Sequence, residues 1–97
     1  MNGKQPYSND PNIRNRERAQ DAEAALIAYF SIKNPGIHEM DPDSEGRDTL
    51  VDLLSDLRHW ARWRDEDFDS ADKLSAEHLN DEVSEETTTH TGQGSAR

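Results

Sequence analysis

Apolar residues recur along this chain in three stretches, each with the three-to-four-residue rhythm of an amphipathic helix. In the first, Ala19, Ala22, Leu26, Tyr29 and Phe30 keep that spacing, with Ala25 and Ile32 beside them, and most neighbours are good helix formers. The pattern predicts a helix from about Ile13 to Lys33. It ends at Asn34-Pro35-Gly36, where proline disfavours a helical residue before it and glycine permits a reversal. The second stretch, "RDTLVDLLSDLRHWARW", is the most regular. Leu50, Leu53, Leu54, Leu57, Trp60 and Ala61 predict a helix from Ser44 or Asp48 to Arg64, at the centre of the core. The third follows "DEDFD". Phe68, Ala71, Leu74, Ser75, His78 and Leu79 form a thinner stripe, with Ser70 or Asp69 as cap, fading near Glu82.

No strand pattern interrupts the three. The expected fold is therefore all-α, a small three-helix bundle over residues 13–82. Tyr29, Phe30, Trp60 and Phe68 should supply much of its buried area, with Trp63 at a rim. Residues 1–12, with two prolines, a glycine and several short polar side chains, read as a flexible arm. Residues 83–97, "VSEETTTHTGQGSAR", hold too few apolar side chains to offset the entropy of ordering, and read as a disordered tail.

Composition narrows the function more than the fold. A chain of 97 residues accommodates one small domain. Its hydrophobic share, 31%, is low for a globular protein, so the core must be small. The formal net charge of −10 disfavours direct contact with nucleic-acid phosphates or anionic membranes and suits a basic protein surface. Without cysteine there is no disulfide, thiolate metal site or thiol nucleophile. No apolar run is long enough to cross a bilayer, and "MNGKQPYSNDPN" lacks the apolar stretch of a secretion signal. A cytoplasmic location is expected.

The sharpest chemical motif is "MDPDSEGRDTLVD". Counted from Asp41, it places Asp43, Glu45, Gly46 and Asp52 at positions 3, 5, 6 and 12 of a calcium loop. However, Asp48 stands where an aliphatic residue belongs, no entering helix precedes the loop, and no second loop exists. The same side chains suit the start of a helix, where they cap free N–H groups and favour the positive dipole end. The capping reading is the stronger one.

Asp52, Asp56 and His59 share one flank of the second helix and are weak candidate divalent-metal ligands; the stronger reading is a solvated flank in which Asp56 and His59 hydrogen-bond a neighbouring helix or backbone. This stripe resembles the metal-binding helices of all-α nucleotide pyrophosphatases, which pair acidic motifs on two helices. Here the third helix offers only Glu77, His78 and Asp81, without the matching spacing. In "RHWARWR", Arg58, Arg62 and Arg64 stand among Trp60 and Trp63. Seven acids lie between Glu39 and Asp56 and ten between Asp65 and Glu86, so these arginines are expected to pair with carboxylates. An exposed Trp63 would serve as a protein-binding anchor. Arg14, Arg16 and Arg18 form a basic cluster suited to acidic segments of the same or another chain. No nucleophile elbow and no phosphate-cradling glycine loop is present, so no enzymatic activity and no cofactor are expected.

Two segments, "DLLSDLRHWA" (Asp52 to Ala61) and "DFDSADKLSAEH" (Asp67 to His78), follow the alanine-rich "DAEAALIAYF". Over about two thirds of its length the chain resembles small uncharacterised helical proteins of bacteriophages, prophages and plasmids. It departs in "KNPGIHEMDPDSEG" and in "RWRDE", where a glycine-containing turn is usual. The resemblance implies a mobile-element setting, core roles for Leu53, Leu54, Leu57, Trp60 and Phe68, and a polar contact shared by Asp56, His59 and His78.

The expected function is that of a noncatalytic accessory protein. It would bind a host or element-encoded protein, with a basic nucleic-acid-binding surface, through Asp41, Asp43, Glu45, Asp48, Asp52, Asp56 and Trp63, as a nucleic-acid-mimicking inhibitor does. The alternatives are a divalent-metal-dependent hydrolase or sensor using Asp52, Asp56 and His59, and a homodimeric structural protein joined through Trp63.

Overall fold

The structure is a computed structural model and describes residues 7–88. Three helices make it up: α1 (Pro11–Lys33), α2 (Pro42–Arg64) and α3 (Phe68–Thr88), with no strand among the described residues. The all-α, three-helix reading is correct.

Local chemistry sets each boundary. Asp10 caps α1 by accepting from the Asn12 N–H at 3.0 Å, and Pro11 stands in the first turn, where its missing N–H costs nothing. The expected start at Ile13 is thus two residues late. Nor is the chain before it a free arm throughout. The Tyr7 hydroxyl donates to Asp21, the Arg18 guanidinium stacks over the Tyr7 ring at 5.2 Å, and the Ser8 N–H donates to Glu17 at 2.9 Å. Residues 1–6 of the expected arm lie outside the described residues. At its other end α1 stops where expected, with the Asn34 N–H on the Phe30 carbonyl at 2.8 Å and Gly36 turning the chain at φ +79°.

Asp41 caps α2, accepting from the Asp43 N–H at 3.0 Å, and Glu45 reaches back to the Asp41 N–H at 2.8 Å. The calcium-loop reading is therefore displaced: residues 42–52 are helix, with Gly46 inside it. Past Arg64 the Glu66 N–H bonds the Ala61 carbonyl at 2.7 Å and the Asp65 N–H bonds the Arg62 carbonyl at 3.3 Å. This is the Schellman pattern, with Asp65 in the left-handed position at φ 60° where glycine is usual. Asp67, rather than Ser70 or Asp69, caps α3, its carboxylate accepting from the Ser70 N–H at 3.0 Å. The helix runs past Glu82 to Thr88, so residues 83–88 of the expected tail are helical; residues 89–97 lie outside the described residues.

Each helix pair meets over a different stretch. The end of α1 lies on the first half of α2, the start of α3 lies against the end of α2, and the end of α3 returns to the start of α1. That last contact is ionic. Arg14 pairs with Glu85 at 2.6 Å, Arg18 with Glu82 at 3.5 Å, and the Asn15 amide donates to Glu86 at 2.7 Å. Arg14 and Arg18 of the basic cluster thus meet an acidic segment of their own chain.

Because the contacts are spread in this way, little is enclosed. Among the described residues only Met40, Ala61 and Thr49 are buried. Leu53, Phe68, Tyr29 and Phe30 are half-buried. The expected leucine core is not closed: Leu50, Leu54, Leu57 and Trp60 stay 40–51% exposed. The reason is angular. The groups that meet α1, Thr49, Asp52 and Asp56, lie on the edge of the apolar arc of α2 and not at its centre.

Candidate partner-binding surface

At 3.6 residues per turn, Glu45, Asp48, Asp52 and Asp56 fall within an arc of roughly 80°, about 4.5–6 Å apart along the helix axis, and Asp41, the extended N-cap, stands at the head of α2 with its carboxylate turned onto the Asp43 N–H and Ser44. Trp63 continues the same flank at its C-terminal end and is 76% exposed. Asp43, assigned to this surface by sequence, faces the other side of α2 and leaves the row. Its proximity in sequence to Asp41 concealed the rotation.

The four carboxylates of the row are held in two ways. Glu45 is locked at the N-terminal end, bonded to the Asp41 N–H and to His38 Nε2 at 2.8 Å. Those two donors, the backbone N–H first, hold its carboxyl below the usual range. Asp56 is locked at the other end. It accepts from the Tyr29 hydroxyl and from Lys33 Nζ, the latter at 3.1 Å. The Tyr29 hydrogen bond, then Lys33, lowers its pKa. Reciprocally, bonding to Asp56 raises the pKa of both Tyr29 and Lys33. Between these ends, Asp48 and Asp52 are exposed and take no protein hydrogen bond or ion pair among the described residues. They border an open cleft of about 210 Å³ between α1 and α2, lined also by Tyr29, Phe30, Lys33 and Glu45.

Asp56 bonds a neighbouring helix, as the solvated-flank reading allowed, but its partners in this clasp, Tyr29 and Lys33, were not read from sequence. Tyr29 was assigned to the core and Lys33 only to the helix end. Their i, i+4 spacing put both on one edge of α1, but no local signal names a partner 23 or more residues away. The His38–Glu45 contact was likewise missed; the 5.5 Å approach of Phe30 to the His38 ring places that imidazole.

The candidate metal ligands are not assembled. Asp56 faces α1 and its hydrogen bonds go to Tyr29 and Lys33; among the described residues no hydrogen bond or ion pair joins it to His59 or His78. Among the described residues no group of three His, Asp or Glu side chains gathers in a way that could hold an ion. Of the arginines among the tryptophans, Arg58 pairs with a carboxylate as expected, whereas Arg64 stands against a tryptophan ring. Arg58 pairs with Asp69 at 3.3 Å and stacks over Phe68 at 4.3 Å, and Arg64 stands 5.6 Å from the Trp63 ring.

Compared with known protein families, curated proteins and solved structures, the chain matches none. Among the described residues no helix is long and apolar enough to cross a membrane.

Proposed function

We propose that this chain is a noncatalytic accessory protein of a mobile element that binds another protein through the acidic flank of α2 and inhibits it by occupying a nucleic-acid-binding face. The observation that carries this reading is the row of four carboxylates, Glu45, Asp48, Asp52 and Asp56, on one helix flank below the Asp41 cap, with Asp48 and Asp52 taking no protein hydrogen bond or ion pair among the described residues. Both ends of the row are tied down by His38 and by the Tyr29–Lys33 clasp, so binding orders few side chains and forfeits little entropy. Regularly spaced anions on a stiff rod are what a phosphate-contacting surface recognises. The net charge of −10 adds long-range steering toward a basic partner. Trp63, exposed at the end of the row, supplies an apolar anchor. The likeness of "DLLSDLRHWA" and "DFDSADKLSAEH" to small helical phage, prophage and plasmid proteins supports the mobile-element setting and a cytoplasmic site of action.

Affinity capture at low and high salt tests the proposal, comparing the native chain with the Asp48→Asn/Asp52→Asn double variant. A nucleic-acid-binding protein retained at low salt, released at high salt and lost with the double variant is the expected result. Equal retention by both chains overturns it, because the variant changes charge while leaving the caps and the clasp in place.

A further inference from the structure

We infer that the C-terminal end of α3 is a salt-released latch, held closed on the start of α1 by ion pairs and set free by screening while the rest of the fold stands. Each of the two helix ends carries the wrong sign of charge for its own dipole. α1 has no acidic residue in its first turn and brings Arg14, Arg16 and Arg18 near its positive end. α3 has no basic residue in its last turn and places Glu85 and Glu86 there, at the negative end. Thr87 and Thr88 close that turn and are poor helix formers. Neither end is favoured alone. Docked, each supplies the charge that the other lacks.

The contacts between the two ends are polar. Arg14 meets Glu85 at 2.6 Å, and Arg18 Nε meets Glu82 at 3.5 Å. The Asn15 amide donates both to Glu86 at 2.7 Å and to the Glu82 carbonyl at 3.0 Å. Arg18 is held ready for its partner: it donates to Asn15 Oδ1 at 3.1 Å and lies over the Tyr7 ring at 5.2 Å. Apolar cover is thin. Leu79 and Val83, which with Ala19 line the groove of about 320 Å³ between the ends, are 58% and 48% exposed. Charge, more than burial, therefore decides whether the last turns of α3 dock.

Salt acts on this contact and on the whole chain with opposite signs. The Glu85 and Glu82 side chains are 54% and 30% exposed, so mobile ions reach them. The screening length shrinks from about 10 Å at 0.1 M salt to about 3 Å at 1 M, and the ion pairs weaken with it. For the chain as a whole, a net charge of −10 repels itself, and salt relieves that repulsion. The end of α3 thus opens at an ionic strength that leaves α2 folded. Opening bares Arg14 and Arg18 and releases Glu82, Glu85 and Glu86 from α1. None of these residues belongs to the carboxylate row of α2, so this inference and the partner-binding reading fail separately.

Hydrogen exchange of the full chain, resolved by residue with NMR between about 0.05 and about 1 M sodium chloride, tests it. Amides of residues 83–88 should exchange at least about fivefold faster at the higher salt, the scale of exposed ion pairs acting together. Amides of residues 50–61 should not exchange faster. Arg14→Gln should speed exchange of residues 83–88 already at low salt and cut their salt response to below about twofold. The reversed pair, Arg14→Glu/Glu85→Arg, should restore protection at low salt. Exchange at residues 83–88 that ignores salt, or that quickens only in step with residues 50–61, would overturn the inference. So would Arg14→Gln behaving as the native chain, or the reversed pair exchanging as fast as Arg14→Gln. If a variant does not fold, the salt response of the native chain still decides.

Discussion

Among the described residues Met40 is the largest buried side chain, and its truncation is the most informative stability test. It is 3% exposed and stands immediately before the Asp41 cap of α2. Met40→Ala removes three heavy atoms. At about 0.8 kcal/mol for each buried methylene-sized group, plus the cavity left behind, the loss is about 2.5 kcal/mol. A domain of this size holds roughly 4–12 kcal/mol in total, and one with so little enclosed belongs at the low end. The variant should therefore lose about half its stability and melt about 10–20 °C lower. The control is Ile32→Ala, a comparable apolar truncation at a site 75% exposed, which should cost no more than about 0.5 kcal/mol. Urea unfolding followed by circular dichroism at fixed chain concentration measures both. The m-value should hold constant, so that the midpoint alone reports stability. Equal losses for the two variants, or a Met40→Ala loss below about 0.5 kcal/mol, would refute the view that burial is confined to the junction around Met40, Thr49 and Ala61.

Two further predictions follow from the ends and the clasp of α2. Asp65→Gly should stabilise the chain by about 0.5–1 kcal/mol, because glycine meets no steric penalty in the left-handed conformation that Asp65 adopts at φ 60°; a loss in the same urea titration would contradict the Schellman assignment. The clasp should give stability a plateau with two edges. The lowered pKa of Asp56 makes its contribution present above the ordinary carboxyl range and lost as pH falls through its folded value, below about 4. The raised pKa values of Tyr29 and Lys33 make theirs present below about pH 10 and lost as pH rises through the folded values. In melting curves across pH, Asp56→Asn should flatten the alkaline edge and only part of the acid edge, since Glu45, also lowered, supplies the rest. An alkaline edge unchanged by Asp56→Asn would count against the clasp.

Helix existence was legible because it depends on local spacing, and the leucine rhythm of 50–61 and the Asn34-Pro35-Gly36 stop both act within a few residues. What failed was non-local. Val83 to Thr88 is polar and weak as an isolated helix; in the structure Glu82, Glu85 and Glu86 at the end of α3 meet Arg14, Asn15 and Arg18, 64 or more residues away. Asp10-Pro11 carried a readable cap signature that the surrounding prolines and polar residues obscured. The leucine stripe was legible as apolar, but spacing does not say what covers it, and α1 settles on its edge. The candidate site divides in the same way. The row Glu45, Asp48, Asp52 and Asp56 follows from helical period, whereas the donors that fix its ends come from other segments. Asp43 stands on another face of α2 because proximity in sequence is not a shared helix face, and Met40 carried no periodic mark at all.

The central claim is that the acidic flank takes the place of nucleic acid on a partner. It is tested most directly by displacement. The captured nucleic-acid-binding protein is loaded with a fluorescent DNA duplex, and the chain is titrated in while DNA release is followed by anisotropy. The account predicts stoichiometric release at low salt, weakening at least about tenfold with Asp48→Asn/Asp52→Asn and falling steeply as ionic strength rises. DNA that stays bound while the chain also binds, or release that the double variant achieves equally well, would contradict it.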